Sequence, residues 1–198
     1  MDWVIEELAT LSLGDERLNK RAQTILSQLS HNPNDSIPVA CQGAAETKAA
    51  YRFFDNEKVS AEKIQETHFD SILARIEKKP VVLIPQDTTV LNFTNQPERN
   101  DAGPTSRKGT KGIFLHCAIA VTPERVCLGV VSSKQWYRSK LQELTRKERT
   151  YKDYATSIEM KESYRWLENY RIAQEIALRF TDTTIVSIAD REGDISNL

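Results

Sequence analysis

The 198 residues are 39% hydrophobic and 28% charged, with a formal net charge of −1. That balance can bury a core, and it excludes both a disordered chain and a bulk polycation that coats nucleic acid. No apolar run approaches the roughly 20 residues of a membrane-spanning helix. The start, Met1-Asp2-Trp3-Val4-Ile5-Glu6-Glu7, has neither the basic residues nor the apolar stretch of a secretory signal. A cytoplasmic protein with no membrane partner is expected, and Cys41, Cys117 and Cys127, without metal-like spacing, read as reduced thiols.

In chain order, a short helix stops at Gly14, and Asp15 caps a second over residues 16–31. Leu18, Ala22, Ile25, Leu26 and Leu29 form its apolar stripe. Asn32-Pro33-Asn34-Asp35 forces a turn. A third helix runs from about Ala44 to Phe54. A fourth starts at Ser60 as N-cap, carries Ile64, His68, Ile72 and Ile76, and is ended by Pro80; His68 on that stripe reads as a partly buried packing residue. Residues 1–79 are therefore expected to be a helical module.

At Pro80 the pattern changes. Val81-Val82-Leu83-Ile84 is a continuous apolar run typical of a central strand. Residues 95–112 read as a loop. Ile113 to Val121 and Val126 to Val131 form a hairpin around Thr122-Pro123-Glu124-Arg125. A basic stretch, irregular or partly helical, follows. A helix from Lys161 to Phe180 then places Trp166, Tyr170, Ala173, Ala177 and Phe180 on one face, and Thr183 to Ala189 is the last strand. A crossover helix returns the chain parallel to the strand it left. The expected fold is α/β (α+β), a helical module followed by a mixed sheet whose first and last strands are neighbours.

Each of those strands leads into an aspartate, Asp87 and Asp190. Carboxylates at the ends of adjacent parallel strands, about 4.8 Å apart, can share a cation. Phosphodiester chemistry uses such a pair to hold Mg²⁺ against the attacking and leaving oxygens. Either Asp alone would read as a turn opener; the pair favours the metal.

Charge is uneven. Residues 1–16 hold five acids and no Lys or Arg. Residues 134–152 hold seven bases, Lys134 and Arg138 first among them, against two acids, and residues 99–111 hold Arg99, Arg107, Lys108 and Lys111 against Asp101. Such clusters can neutralise phosphates, or form a solvated face of mixed charge.

Asp87-Thr88-Thr89 after a buried strand, Gly112-Ile113-Phe114-Leu115-His116, and Asp190-Arg191-Glu192-Gly193-Asp194-Ile195 resemble the DDE transposases of the insertion-sequence-four and transposon-five type. Leu13-Gly14-Asp15-Glu16-Arg17, the run Gly43 to Phe54 and Val59-Ser60-Ala61-Glu62-Lys63-Ile64 resemble that family's end-binding module. The resemblance spans nearly the whole chain and implies an RNase H-like domain, incomplete here, behind a helical DNA-binding module. It implies Asp87 and Asp190 as the first two carboxylates of a triad that binds Mg²⁺ or Mn²⁺, and double-stranded transposon-end DNA as the partner. Arg17 and Arg21 are the implied end contacts, although Leu18 replaces a basic residue of the family. Lys48 and Arg52, four apart on the third helix, are further candidates.

The family's third carboxylate, in a Tyr–Arg–Glu–Lys signature downstream of the second Asp, is absent. Tyr164-Arg165-Trp166-Leu167-Glu168 precedes Asp190 with the wrong spacing, so Glu168 reads as an ordinary helix residue. The expectation is the N-terminal portion of a bacterial transposase, cytoplasmic and nucleoid-associated when DNA-bound. It would be inactive alone and paired with itself or with a full-length transposase. The alternatives are a non-catalytic DNA-binding inhibitor and, last, a nuclease that borrows Glu192 or Asp194.

Overall fold

The computed structural model describes residues 3–96, 98–105, 109–139 and 154–193. Five helices come first: α1 (Trp3–Glu7), α2 (Glu16–His31), α3 (Ile37–Ala40), α4 (Ala44–Phe54) and α5 (Ala61–Ile76). The chain forms two compact units, Met1–Ala74 and Arg75–Leu198, the division falling in the last turn of α5. Among the described residues no helix is long and apolar enough to cross a membrane.

The first unit is built around Val4, Leu8, Leu11, Leu13, Ala22, Ile25, Cys41, Ala50 and Phe53, with the α2 stripe residues Leu18, Leu26 and Leu29 packed against them. Entry into α2 follows the local chemistry. Gly14 takes φ +76°, a left-handed conformation that a side chain would strain. Asp15 then caps the helix by accepting the Arg17 N–H at 2.9 Å. At α5, Ser60 Oγ accepts the Lys63 N–H at 3.2 Å. That helix ends at Ile76, short of Pro80, in a turn closed by Lys79 N–H to Ile76 O at 2.9 Å.

Two features of this unit escape periodicity. The four-residue α3, with Pro38 in its first turn, is too short to show a stripe. His68 does more than pack. Its Nδ1 bonds the buried Glu7 carboxylate, and Ser71 Oγ donates to Glu7 O at 3.0 Å, so α5 fastens α1 at two points.

The second unit is a mixed sheet of β1 (Val81–Asn92), β2 (Gly103–Pro104), β3 (Lys111–Val121), β4 (Cys127–Trp136) and β5 (Thr184–Ile188), with helix α6 (Tyr164–Arg179) crossing between β4 and β5. The order is β2-β3-β1-β5, with β4 also on β3; β1 is antiparallel to β3 and parallel to β5. This is the α/β arrangement expected from the element order. β1 is longer than its first apolar run, because the ladder to β3 continues from Asp87↔Cys117 to Asn92↔Gly112 across Asp87, Thr88 and Thr89. Similarly β4 extends into the basic stretch as far as Trp136, opposite Phe114. Backbone pairing, rather than hydrophobicity, sets both ends.

The buried face of α6 is Trp166, Asn169, Ala173 and Ile176; Trp166 and Ala173 belong to the expected stripe, but Tyr170 is exposed. A polar residue at 169 hides the true face from a hydrophobic pattern. α6 packs against β1, β4 and β5. On β1 the residues in the buried phase are Val82, Ile84 and Gln86. The opposite face carries half-buried Leu83, Leu115 and Ile119, with Val130, Val186 and Ile188 exposed.

Candidate functional site

The register of the sheet bears directly on the two aspartates. Every β1–β5 pair, from Val81↔Thr184 to Pro85↔Ile188, is offset by 103 residues, and Asp87 and Asp190 are also 103 apart. Both are exposed. The β5 ladder stops at Ile188; Asp190 leads into a single 3₁₀ turn, Arg191–Gly193, where the Gly193 N–H donates to Asp190 O at 3.0 Å. Asp87 Oδ1 accepts the Thr88 N–H at 2.7 Å.

Beneath Asp87, on the α6 side of the sheet, lies a polar network around His116, which is 1% exposed. Arg165 Nε donates to Thr88 Oγ1 at 2.9 Å, Thr88 Oγ1 lies 2.9 Å from His116 Nδ1, and His116 Nε2 lies 3.1 Å from Gln86 Oε1. Burial, then the Arg165 charge, lowers the His116 pKa to about 4, so the imidazole is neutral near pH 7. A neutral ring carries one N–H; with Gln86 presenting Oε1, that proton sits on Nε2 and donates to Gln86, and the Thr88 hydroxyl donates to the bare Nδ1. Trp166 meets the ring edge to face at 4.6 Å between centroids.

Hard oxygen donors suit Mg²⁺ or Mn²⁺. Among the described residues no three His, Cys, Asp or Glu side chains converge into a closed cage. Mg²⁺ commonly takes only one or two carboxylates, with waters and substrate phosphates completing its shell. Two exposed aspartates, Asp87 within β1 rather than at its end and Asp190 two residues past β5, fit that open type of site. Glu168, on α6, pairs with Lys134.

The basic candidates divide into several environments. The Arg17 side chain is 90% exposed and forks onto Asp15, its Nη2 2.8 Å from Oδ2, and these hydrogen bonds lower the Asp15 pKa to about 2. Arg21 pairs with Glu46 of α4. Lys48 and Arg52 are exposed and line an open cavity with Pro38, Thr47 and Tyr51. In the second unit, Lys111 and Arg138, 27 residues apart in sequence, line one cavity with Gly103, Pro104 and Tyr137. Lys111 Nζ donates to Arg99 O. Arg138 stacks on Phe114 at 4.4 Å and donates to Glu162 at 2.7 Å, which lowers the Glu162 pKa. Arg107, Lys108, the bases of the 140–153 stretch and Asp194 lie outside the described residues.

In the sequence Thr88 and His116 stand out only within motifs, Trp166 only as a helix-face residue and Arg165 only beside it, and Gln86 carries no role. A signal was present: Gln86 and Thr88 continue the buried phase of Val82 and Ile84, where a polar side chain needs a partner.

Residues 1–59 match a family model described as transposase DNA-binding. The matched stretch takes in α1 to α4 and every buried residue of the first unit's main core. The N-terminal region is thus similar to the DNA-binding region of transposases, and the similarity supports DNA as a partner.

Proposed function

We propose that this chain is the N-terminal portion of a DDE-type DNA transposase. In this reading residues 1–79 bind transposon-end DNA and residues 80–198 form part of an RNase H-like catalytic domain. The match over residues 1–59 carries the DNA-binding part; the shared 103-residue offset of Asp87 and Asp190 supports the metal-binding part.

When bound, Mg²⁺ or Mn²⁺ neutralises charge on the attacking and leaving oxygens of a phosphodiester. Asp87 and Asp190 would hold it where β1 runs on past the end of β5. With two of the triad's three carboxylates, the chain is expected to bind DNA without cutting it efficiently, in company with a second copy or a full-length transposase.

Arg17 and Arg21 are four apart on α2, and Lys48 and Arg52 are four apart on α4, so each pair shares a helix face. Exposed ion pairs such as Arg17–Asp15 stabilise little, so exchanging the carboxylate for a DNA phosphate costs little.

The test is selection of binders by the full chain from a randomised duplex library, followed by gel shifts across a salt series. A common sequence is expected to be enriched. The Arg17→Ala/Arg21→Ala and Lys48→Ala/Arg52→Ala double variants should each flatten the slope of log K against log salt by up to about 2. No enrichment, with slopes unchanged in both variants, would reject this interface.

A further inference from the structure

We infer that His116 and Trp166 act together as a positioning device for the two aspartates, fastening the backbone on both sides of Asp87 and seating the turn that carries Asp190. The inference rests on the reading of Asp87 and Asp190 as metal ligands.

Gln86 and Thr88 flank Asp87 and point to the same side of β1, away from it. Both are bonded to one imidazole, Thr88 at Nδ1 and Gln86 at Nε2. A rigid ring that bridges residues i and i+2 holds the pleat between them, and so fixes the direction in which Asp87 leaves the opposite face. The ring itself cannot drift. It is 1% exposed on β3, opposite Thr88 in the ladder, with Trp166 of α6 against its face or edge. Arg165, one residue before Trp166, closes the chain of donors onto Thr88 at 2.9 Å.

The same tryptophan reaches the other aspartate. A Cβ added at Gly193 would lie 3.3 Å from Trp166 Cε3 and 2.7 Å from Ala189 Cβ. The glycine therefore lets the 190–193 turn sit down on the indole. That turn is the one closed by the Gly193 N–H onto Asp190 O. One buried pair of side chains thus abuts both carboxylate-bearing segments, although the residues concerned lie on β1, β3, α6 and the turn after β5.

A network of this kind can also serve fold specificity alone. Metal affinity separates the two roles, since partners behind the ligands commonly change it roughly 10- to 100-fold. The probe is Mn²⁺, titrated into the full chain and followed by electron paramagnetic resonance of the free ion, alongside thermal melts. Wild type is expected to bind Mn²⁺, and Asp87→Ala to bind it much more weakly.

Thr88→Val, which keeps the side-chain shape but removes the hydroxyl, should lose roughly tenfold in Mn²⁺ affinity while melting well above the assay temperature. His116→Leu should lose at least as much. His116→Asn, whose Oδ1 can still accept from Thr88, should recover part of the loss. Folded Thr88→Val and His116→Leu proteins that bind Mn²⁺ as wild type does would overturn the positioning role while leaving the metal site in place. Where His116→Leu fails to fold, Thr88→Val decides. Equal binding by wild type and Asp87→Ala would reject the metal site itself, and the positioning role with it.

Discussion

Acidification from pH 7 to pH 4 is expected to remove about 2–3 kcal/mol of folding stability through His116 alone. The sign follows from which state holds the proton. An unfolded histidine takes up its proton near pH 6.5, whereas folded His116 resists until about pH 4, because burial and then the Arg165 charge disfavour the cation. Between those values the unfolded state binds more protons. The contribution is therefore fully present above about pH 6.5, falls as the pH drops, and levels off below about pH 4. Urea titrations across this range, followed by Trp136 and Trp166 fluorescence, compare wild type with His116→Asn. The variant should show a shallower fall. Identical pH dependence in the two proteins would mean that the imidazole titrates as if exposed.

Ile84→Ala is expected to destabilise the second unit by about 2–5 kcal/mol, a large share of the stability of a typical domain. Ile84 is 1% exposed on the central strand, in phase with Val82 and on the side where α6 packs, so truncation leaves a cavity that a paired strand cannot collapse to fill. Ile188→Ala is the matched control. It lies at the end of the neighbouring strand β5 and is 41% exposed, so its truncation should cost less than about 1 kcal/mol. The contrast, read from urea midpoints, checks which face of the sheet is buried. Equal losses would show that the β5 face is covered in solution.

Much of this architecture is legible locally. Gly14-Asp15 marks the start of α2 because a left-handed glycine and a capping carboxylate act within three residues. Val81 to Ile84 reads as a central strand because it is apolar on both faces, and it is indeed flanked by β3 and β5. Elements whose ends depend on distant partners read less well. The second half of β1 and the basic end of β4 are strands because β3 lies beside them. The α6 face is only half legible, in Trp166 and Ala173, because Asn169 rather than Tyr170 occupies a buried position.

The candidate site divides along the same line. Asp87 and Asp190 stand out in the sequence because each follows an apolar run, and strand-crossover-strand order already makes those strands neighbours. The sequence thus determined the helical N-terminal region, the mixed sheet and the two aspartates, all of which are written in patterns a few residues long. Only the tertiary structure decided the register that sets them at the same offset and the network that joins Arg165, Thr88, His116 and Gln86. The hydrogen bonds of that network span up to 77 residues of chain, from Thr88 to Arg165. A hydrogen bond depends on where the folded backbone puts donor and acceptor, and no local pattern encodes that separation.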